Sequence, residues 1–321
     1  AALTSDARVG GVAFTGSTAT ARRIRAAMAD HCAPGTPLIA ETGGLNAMIV
    51  DSTALPEQAV QAVIESAFQS AGQRCSALRC LYVQEDIAAP FLKMLTGAMQ
   101  SLTLGDPWHL STDIGPVIDE AARKGIADHI ATARSEGRVI AELQTPDSGT
   151  YIAPTILRVK GISDLEREIF GPVLHFTTFK SHELDRVIDA INATGYGLTF
   201  GLHTRIDDRV QHVSERITAG NIYINRNQIG AIVGSQPFGG EGLSGTGPKA
   251  GGPNYLPRFS APDLAETSPA WDSAGTLTAI PAHEPRIIDT ISLPGPTGES
   301  NRLSTLPRPE ILCLGPTGDT A

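Results

Sequence analysis

The sequence has no apolar stretch near the ~20 residues that a membrane-crossing helix needs, so no transmembrane segment is expected. Its first residues, "AALTSDARVGGVAFTGST", lack the charged region followed by an apolar core that marks a secretory signal. Basic charge is also in short supply: 25 Lys and Arg stand against 34 Asp and Glu, a net charge of −9, and no Lys/Arg cluster stands out. Phosphate backbones are bound through such clusters, so nucleic-acid binding by this segment is not expected. Only four cysteines occur, Cys32, Cys75, Cys80 and Cys313, without a CxxC pair or a Cys/His ligand spacing. That argues against a disulfide framework and against a metal site, and fits a reducing, cytoplasmic setting. No internal repeat is found. What is present is an ordinary globular composition, 41% hydrophobic and 18% charged over 321 residues, enough for about two domains with a sizeable core.

Along the chain, strand-like and helix-like patterns alternate. "VGGVAF" (9–14) reads as a short buried strand, and "TGSTATARRIRAAMAD" (15–30) as a helix opened by Gly16-Ser17-Thr18, together half of a βαβ unit. "PLIAE" and "AMIV" are apolar runs separated by Gly43-Gly44. Pro56 suits the first turn of a helix whose stripe is Val60, Val63, Ile64, Ala67 and Phe68, with Gly72 as its stop. "CLYVQ" reads as a strand, 119–135 as a helix with Ile126 and Ile130 inward, and "VLHFTTF" as a strand. A helix over 182–194 carries Leu184, Val187, Ile188 and Ile191 and is capped by Gly195. "RVQHVSERI", closed by Gly220, is another helix, and "NIYIN" a strand. The alternation predicts an α/β fold with a mostly parallel sheet. From about residue 261, "SAPDLAETSPAWDSAG" and "LPGPTGESN" read as a linker or loosely packed tail, and "EILCLGPTG" as a further strand and turn. Both ends look cut, the first in the middle of a βαβ unit.

Several residues could carry chemistry. Cys75 lies on an irregular turn, "GQRCS", between Arg74 and Arg79. It is either a nucleophile, helped toward the thiolate by those cations, or a small buried hydrophobe. Cys80, Cys32 and Cys313 read as buried filler. Glu41, at the end of an apolar run before two glycines, is either a general base or a solvated loop carboxylate. "FTGST" is not a GxGxxG fingerprint; Gly16 and Ser17 at a helix start attract phosphate, or Ser17 and Thr18 simply cap the helix. In "EIFGPVLHF", Glu168 could accept from ribose hydroxyls and Phe170 pack on a flat ring; the plain alternative is a turn into a strand. The glycine-rich stretch 234–253 must be a loop, and its exposed N–H groups suit the grip of a carboxylate.

The order of these motifs is far more specific than any one of them. Gly-Ser-Thr, Glu-Thr-Gly-Gly, Gly-Gln-Arg-Cys, Glu-Ile-Phe-Gly-Pro and Pro-Phe-Gly-Gly, from about residue 8 to 260, resemble the aldehyde dehydrogenase superfamily. "AETGGLNAMIVDSTALPEQ", "SAFQSAGQRCSALR", "FGGEGLSGTGPKAGGP" and "LPGPTGESN" look like its branch of L-glutamate γ-semialdehyde (pyrroline-5-carboxylate) dehydrogenase modules from bifunctional proline-catabolic proteins. The resemblance implies an NAD-dependent enzyme with Cys75 as nucleophile and Glu41 as base. It implies cofactor contacts at Gly16, Ser17, Thr42, Gly43, Glu168 and Phe170. Ser76, Gly230, Ala231 and Phe238 would hold the α-carboxylate and amine of the semialdehyde. It also implies residues 1–72 as the C-terminal part of an NAD-binding domain, 73–260 as a catalytic domain, and 261–321 as a linker and the start of a further region. On this reading the chain is a fragment. The rest of the Rossmann-like sheet, the oxyanion-hole asparagine and any FAD-binding proline dehydrogenase part lie outside it, and the full-length protein would be a homo-oligomer acting on a small molecule. A dehydrogenase for another semialdehyde such as succinate semialdehyde, or an inactive assembly piece, are the alternatives.

Overall fold

The computed structural model describes residues 2–260 and 287–306. A strand, β1 (Val12–Thr15), a helix, α1 (Thr18–His31), and a second strand, β2 (Leu38–Glu41), come first, with β1 and β2 paired in parallel from Val12–Leu38 to Thr15–Glu41. There follow β3 (Ala47–Val50), α2 (Pro56–Phe68), β4 (Cys80–Gln84), α3 (Glu85–Gln100), α4 (Glu120–Ser135), β5 (Val139–Glu142), β6 (Thr155–Arg158) and β7 (Val173–Phe179). Then come α5 (Leu184–Asn192), β8 (Tyr196–Gly197), β9 (Thr199–His203), α6 (Asp207–Arg216), β10 (Asn221–Ile224) and β11 (Glu241–Gly242). One sheet takes seven of these strands in the order β10-β9-β3-β4-β7-β6-β5, with every pair parallel except the edge pair β5–β6. The expected α/β fold with a mostly parallel sheet is what forms.

Burial of this sheet on both faces explains why its strands read as unbroken apolar runs. Successive residues of β3 point to opposite faces. Met48 and Val50 join one core with Phe68 of α2, Phe91 and Leu95 of α3 and Ile130 of α4. Ala47 and Ile49 join the other, with Ile188 of α5 and Val213 of α6. α3 is the long element that the sequence pattern does not mark. Pro90 sits inside it, yet Ala88, Phe91, Leu95 and Met99 bury one face, and that packing outweighs the roughly 3 kcal/mol an interior proline costs. α6 ends at Arg216 with Ile217 as its C-cap, so Gly220 lies in the turn before β10 and is not the helix stop. β3 and α2 already belong to the seven-stranded sheet and its core, so no break between sheets coincides with residue 72.

By compactness the chain divides into two units, 1–230 with 238–250, and 231–237 with 251–321. In the second, a hairpin of β12 (Asp289–Leu293) and β13 (Asn301–Thr305) replaces part of the expected loose tail. Its cross-strand pair Ile291–Leu303 and the alternation around it are too short to stand out in a Pro/Gly-rich stretch. The segment "SAPDLAETSPAWDSAG" beyond Ser260, "EILCLGPTG" and Cys313 lie outside the described residues. No helix among the described residues is long and apolar enough to cross a membrane.

Candidate active site

The turn that carries Cys75 is backbone-strained. After α2, Ser70, Ala71 and Gly72 take φ values of 56°, 52° and 65°, all in the left-handed region. For Ser and Ala this costs about 1–2 kcal/mol each. Gly72 could be nothing else, since a Cβ there would lie 2.2 Å from the carbonyl oxygen of Gly171. Beyond it, side chains distant in sequence hold the carbonyls of Cys75 and its neighbours. Asn46 Nδ2 donates to the carbonyls of Cys75 (2.6 Å) and Ala77 (2.9 Å). Thr199 Oγ1 (3.2 Å) and Gln228 Nε2 (3.3 Å) donate to Ser76. Cys75 itself is half-buried and free.

Both arginines are bonded to the turn, and Arg79 also interacts favourably in charge with the Cys75 thiolate, as the sequence suggests for it. Arg79 is fully buried, and its guanidinium donates to the carbonyls of Gly72 (2.8 Å), Gly171 (3.2 Å) and Arg74 (3.1 Å) and to Glu168 Oε1 (3.0 Å). Arg74 Nε donates to Ser70 Oγ at 3.1 Å. Burial raises the pKa of Cys75, the charges of Glu168 and Glu41 add to the rise, and the N–H groups of Ser76 and of Cys75 itself oppose it. Burial outweighs the favourable charge interaction between Arg79 and Cys75, so the thiol in this state is harder to ionise than a free one. The same balance puts both carboxylates in electrostatic reach of the sulfur, with two main-chain N–H groups turned toward it.

Glu41 closes β2. Its Oε2 accepts from the Gly240 N–H at 2.8 Å, while its Oε1 is buried without a hydrogen-bond partner among the described residues. Burial pushes the carboxyl up to about 7, against the Gly240 N–H and the charge of Lys249. A carboxyl at that value can take a proton at neutral pH and release it again. The glycine-rich loop therefore does grip a carboxylate, but it is Glu41's own. Other amides of the loop are engaged within the chain: Phe238 N–H on Ala250 O (2.9 Å), Gly239 N–H on Asn221 Oδ1 (3.2 Å) and Thr246 N–H on Ala40 O (2.9 Å).

The residues expected around a cofactor divide into two groups. Glu168 holds its carboxylate over Gly43, where a Cβ would lie 1.8 Å from Oε2, a cradle open only because residue 43 has no side chain. Burial raises the Glu168 pKa, and Arg79 opposes that. Phe170 is 44% exposed and lies over the Arg79 guanidinium, 5.3 Å from ring centroid to Cζ. Gly16 donates its N–H to Glu41 O at 3.0 Å, which ties the α1 start to the end of β2. Ser17 Oγ caps α1 by accepting from Thr20 N–H at 3.2 Å, so capping is its observed role. Thr42 is buried with both donors engaged, on Leu243 O (2.6 Å) and Ser244 O (2.8 Å), and has no free N–H or O–H to offer a cofactor.

Of the expected substrate contacts, Ser76 is buried in the Cys75 turn, and Gly230, at φ 72°, lies near Arg74, 3.9 Å from its would-be Cβ to Nη1. Phe238 is half-buried beside the glycines that hold Glu41. Ala231 belongs to the second unit. Sequence reasoning missed Asn46, Thr199 and Gln228. It also missed Tyr223, whose buried hydroxyl is pushed up to about 12 by burial, with Arg226 opposing and Cys75 adding. The only trace of Asn46 and Thr199 in the sequence is a polar residue at the mouth of an apolar strand.

A thiol on a pinned turn, within the electrostatic influence of a desolvated carboxyl and of a second carboxylate over a bare glycine, meets a family pattern. The profile described as "Aldehyde dehydrogenase family" matches residues 1–263. The chain belongs to the aldehyde dehydrogenase family. It is 47% identical to "Bifunctional protein PutA" of Salmonella typhimurium, covering 98% of this chain and 27% of that protein. To the "1-pyrroline-5-carboxylate dehydrogenase" of Bacillus cereus it is 39% identical, over 76% of this chain and 48% of that one. Among solved structures, a crystal structure of bifunctional proline utilization A (PutA) matches 80% of this chain and 26% of its own with a TM-score of 0.79 at 53% identity. A 1-pyrroline-5-carboxylate dehydrogenase from Thermus with bound NAD matches with a TM-score of 0.74 at 33% identity, over 80% of this chain and 51% of its own. The fold is the aldehyde dehydrogenase fold. The chain spans about a quarter of the length of the PutA relatives it matches.

Proposed function

We propose that this chain carries the thiol and the base of an NAD-dependent dehydrogenase that oxidises L-glutamate γ-semialdehyde, in equilibrium with pyrroline-5-carboxylate, to L-glutamate. One observation carries the reading: Cys75, on a turn fixed by Asn46, Thr199 and Gln228, feels the charge of Glu41, a carboxyl that burial holds at about 7. The names of the relatives, one of them solved with bound NAD, support the substrate and the cofactor.

The Cys75 sulfur, once deprotonated, adds to the aldehyde carbon, and the oxygen of the resulting thiohemiacetal accepts from the Cys75 N–H. Glu168 over bare Gly43 fits ribose hydroxyls, Phe170 fits the face of a flat ring, and the α1 start at Gly16-Ser17 suits a pyrophosphate. When bound, NAD supplies the two-electron acceptor that turns the thiohemiacetal into a thioester. Glu41 then takes a proton from water, whose oxygen adds to the acyl carbon and expels the Cys75 thiolate with release of glutamate. Ser76, Gly230 and Phe238 recognise the amino-acid head group, whose charges need partners once desolvated. The complete protein works as a homo-oligomer. The free thiols Cys32, Cys75 and Cys80 suit a reducing cytoplasm.

The test is NADH formation from pyrroline-5-carboxylate by a complete-length protein, with and without Cys75→Ala. The alanine variant is expected to lose at least about 10³-fold of the rate. Equal rates for the two would end the thiol mechanism.

A further inference from the structure

A pair of histidines that the proposed chemistry does not use ends on Arg79. His175 of β7 is 1% exposed. Its main-chain N–H donates to the Arg79 carbonyl oxygen at 2.9 Å, and its ring Nδ1 lies 2.9 Å from the same oxygen. A carbonyl oxygen only accepts, so Nδ1 carries the hydrogen, and Nε2 of the neutral ring is left as an acceptor. His129 of α4 brings its own Nε2 to 3.0 Å from that atom, with the rings edge-on and their centroids 5.2 Å apart. By elimination, His129 is the donor.

Both rings stay neutral near pH 7. Burial pushes His175 down to about 4, with His129, Arg79 and Arg138 adding and the Arg79 carbonyl opposing. Burial, Arg138 and Arg167 lower His129 as well, against Glu136. The hydrogen-bond chain His129, His175, Arg79 carbonyl is therefore intact at working pH.

Arg79 is the point where this chain meets the site. Its N–H donates to Asn46 O at 2.9 Å, so hydrogen bonds from both neighbouring elements hold its backbone. Its side chain reaches Gly72 and Arg74 in the nucleophile turn, and Gly171 and Glu168 in the loop that faces the cofactor. A fully buried side chain with four directed bonds cannot absorb a shift of its own backbone, and misplacement of about 1 Å in such a frame costs up to about 10²-fold. We propose that His129 and His175 are positioning residues for Glu168, acting through Arg79, so that a histidine on α4 helps set the affinity for NAD. The inference rests on the reading of Glu168 as the group that receives the cofactor ribose.

Paired substitutions in a complete-length protein test it. In His175→Asn the amide Nδ2–H stands in for Nδ1–H, and in His129→Gln the amide Nε2–H stands in for the donor; His175→Leu and His129→Leu remove them. The readouts are the NAD Kd by titration calorimetry and the separate KM values for NAD and aldehyde. The leucine variants are expected to weaken NAD about tenfold, with the aldehyde KM within about twofold of wild type. The amide variants are expected to stay within about twofold for both. Leucine variants that bind NAD like wild type, or amide variants as weak as the leucines, overturn the proposal; the merely space-filling role gives no such contrast. Should His175→Leu fail to fold, the half-buried His129 pair carries the same comparison. Absence of NAD binding by the wild type overturns the functional reading along with this one, whereas normal wild-type binding with unchanged leucine variants overturns this one alone.

Discussion

Glu41 and Arg79 share a physical problem, an ionisable group held away from water, and solve it differently. Arg79 stays charged through Glu168 and three carbonyls. Glu41 is buried, and one N–H with the charge of Lys249 only partly offsets that, so its pKa rises to about 7. A deacylation rate that depends on its ionised form should climb about tenfold per pH unit below 7 and level off above it. In a pH–rate profile, Glu41→Gln removes that limb. Stability runs the opposite way. The folded pKa lies above the unfolded one, so the contribution is fully present below about 4.5 and disappears as pH rises through about 7. Glu41→Gln is thus expected to raise the melting temperature over wild type at pH 8 but not at pH 4, and the same increment at both would refute the desolvated carboxyl. Arg79→Met should lose about 3 kcal/mol in urea unfolding, because it strands Glu168 half-buried without its cation. A loss below about 1 kcal/mol would mean that the pair is dispensable.

Among the elements, the turn before Cys75 concentrates the strain. Gly72→Ala adds a methyl group against the Gly171 carbonyl at a φ of 65° and should cost about 2–3 kcal/mol, with loss of thiol reactivity toward iodoacetamide. Unchanged alkylation kinetics would contradict the turn geometry. The strands β3, β4 and β7 and the helices α2 and α4 were legible because burial on both faces of the sheet, or on one helix stripe, writes itself directly into the apolar pattern. α3 was not, because Pro90 speaks against a helix locally while Phe91, Leu95 and Met99 decide the matter through tertiary packing. The hairpin β12–β13 hides in Pro/Gly-rich text for the related reason that five-residue strands carry little periodicity. In the site, Cys75 and Glu41 stood out by their turns. The side chains that fix the Cys75 turn are 29, 123 and 152 residues from the carbonyls they bind, and local pattern cannot pair residues so far apart.

At the scale of the molecule, the family fold is complete enough in the first unit to bring Cys75, Glu41, Glu168 and Gly43 to one place, although the chain spans about a quarter of its PutA relatives. The hairpin of the second unit is a two-stranded ribbon with Ile288 66% exposed, and such ribbons are marginal alone in water. Deleting 287–306 from a complete-length protein is therefore expected to lower its oligomeric mass in light scattering, and an unchanged mass would assign the assembly to another surface. The most direct test lies with the two groups at the centre. A complete-length Glu41→Gln protein, mixed with NAD and glutamate semialdehyde and measured by intact-mass and peptide mass spectrometry, should accumulate a single acyl adduct on the peptide that contains Cys75. Rapid turnover by that variant with no adduct, or an adduct on any other residue, would contradict the division of labour between thiol 75 and carboxylate 41.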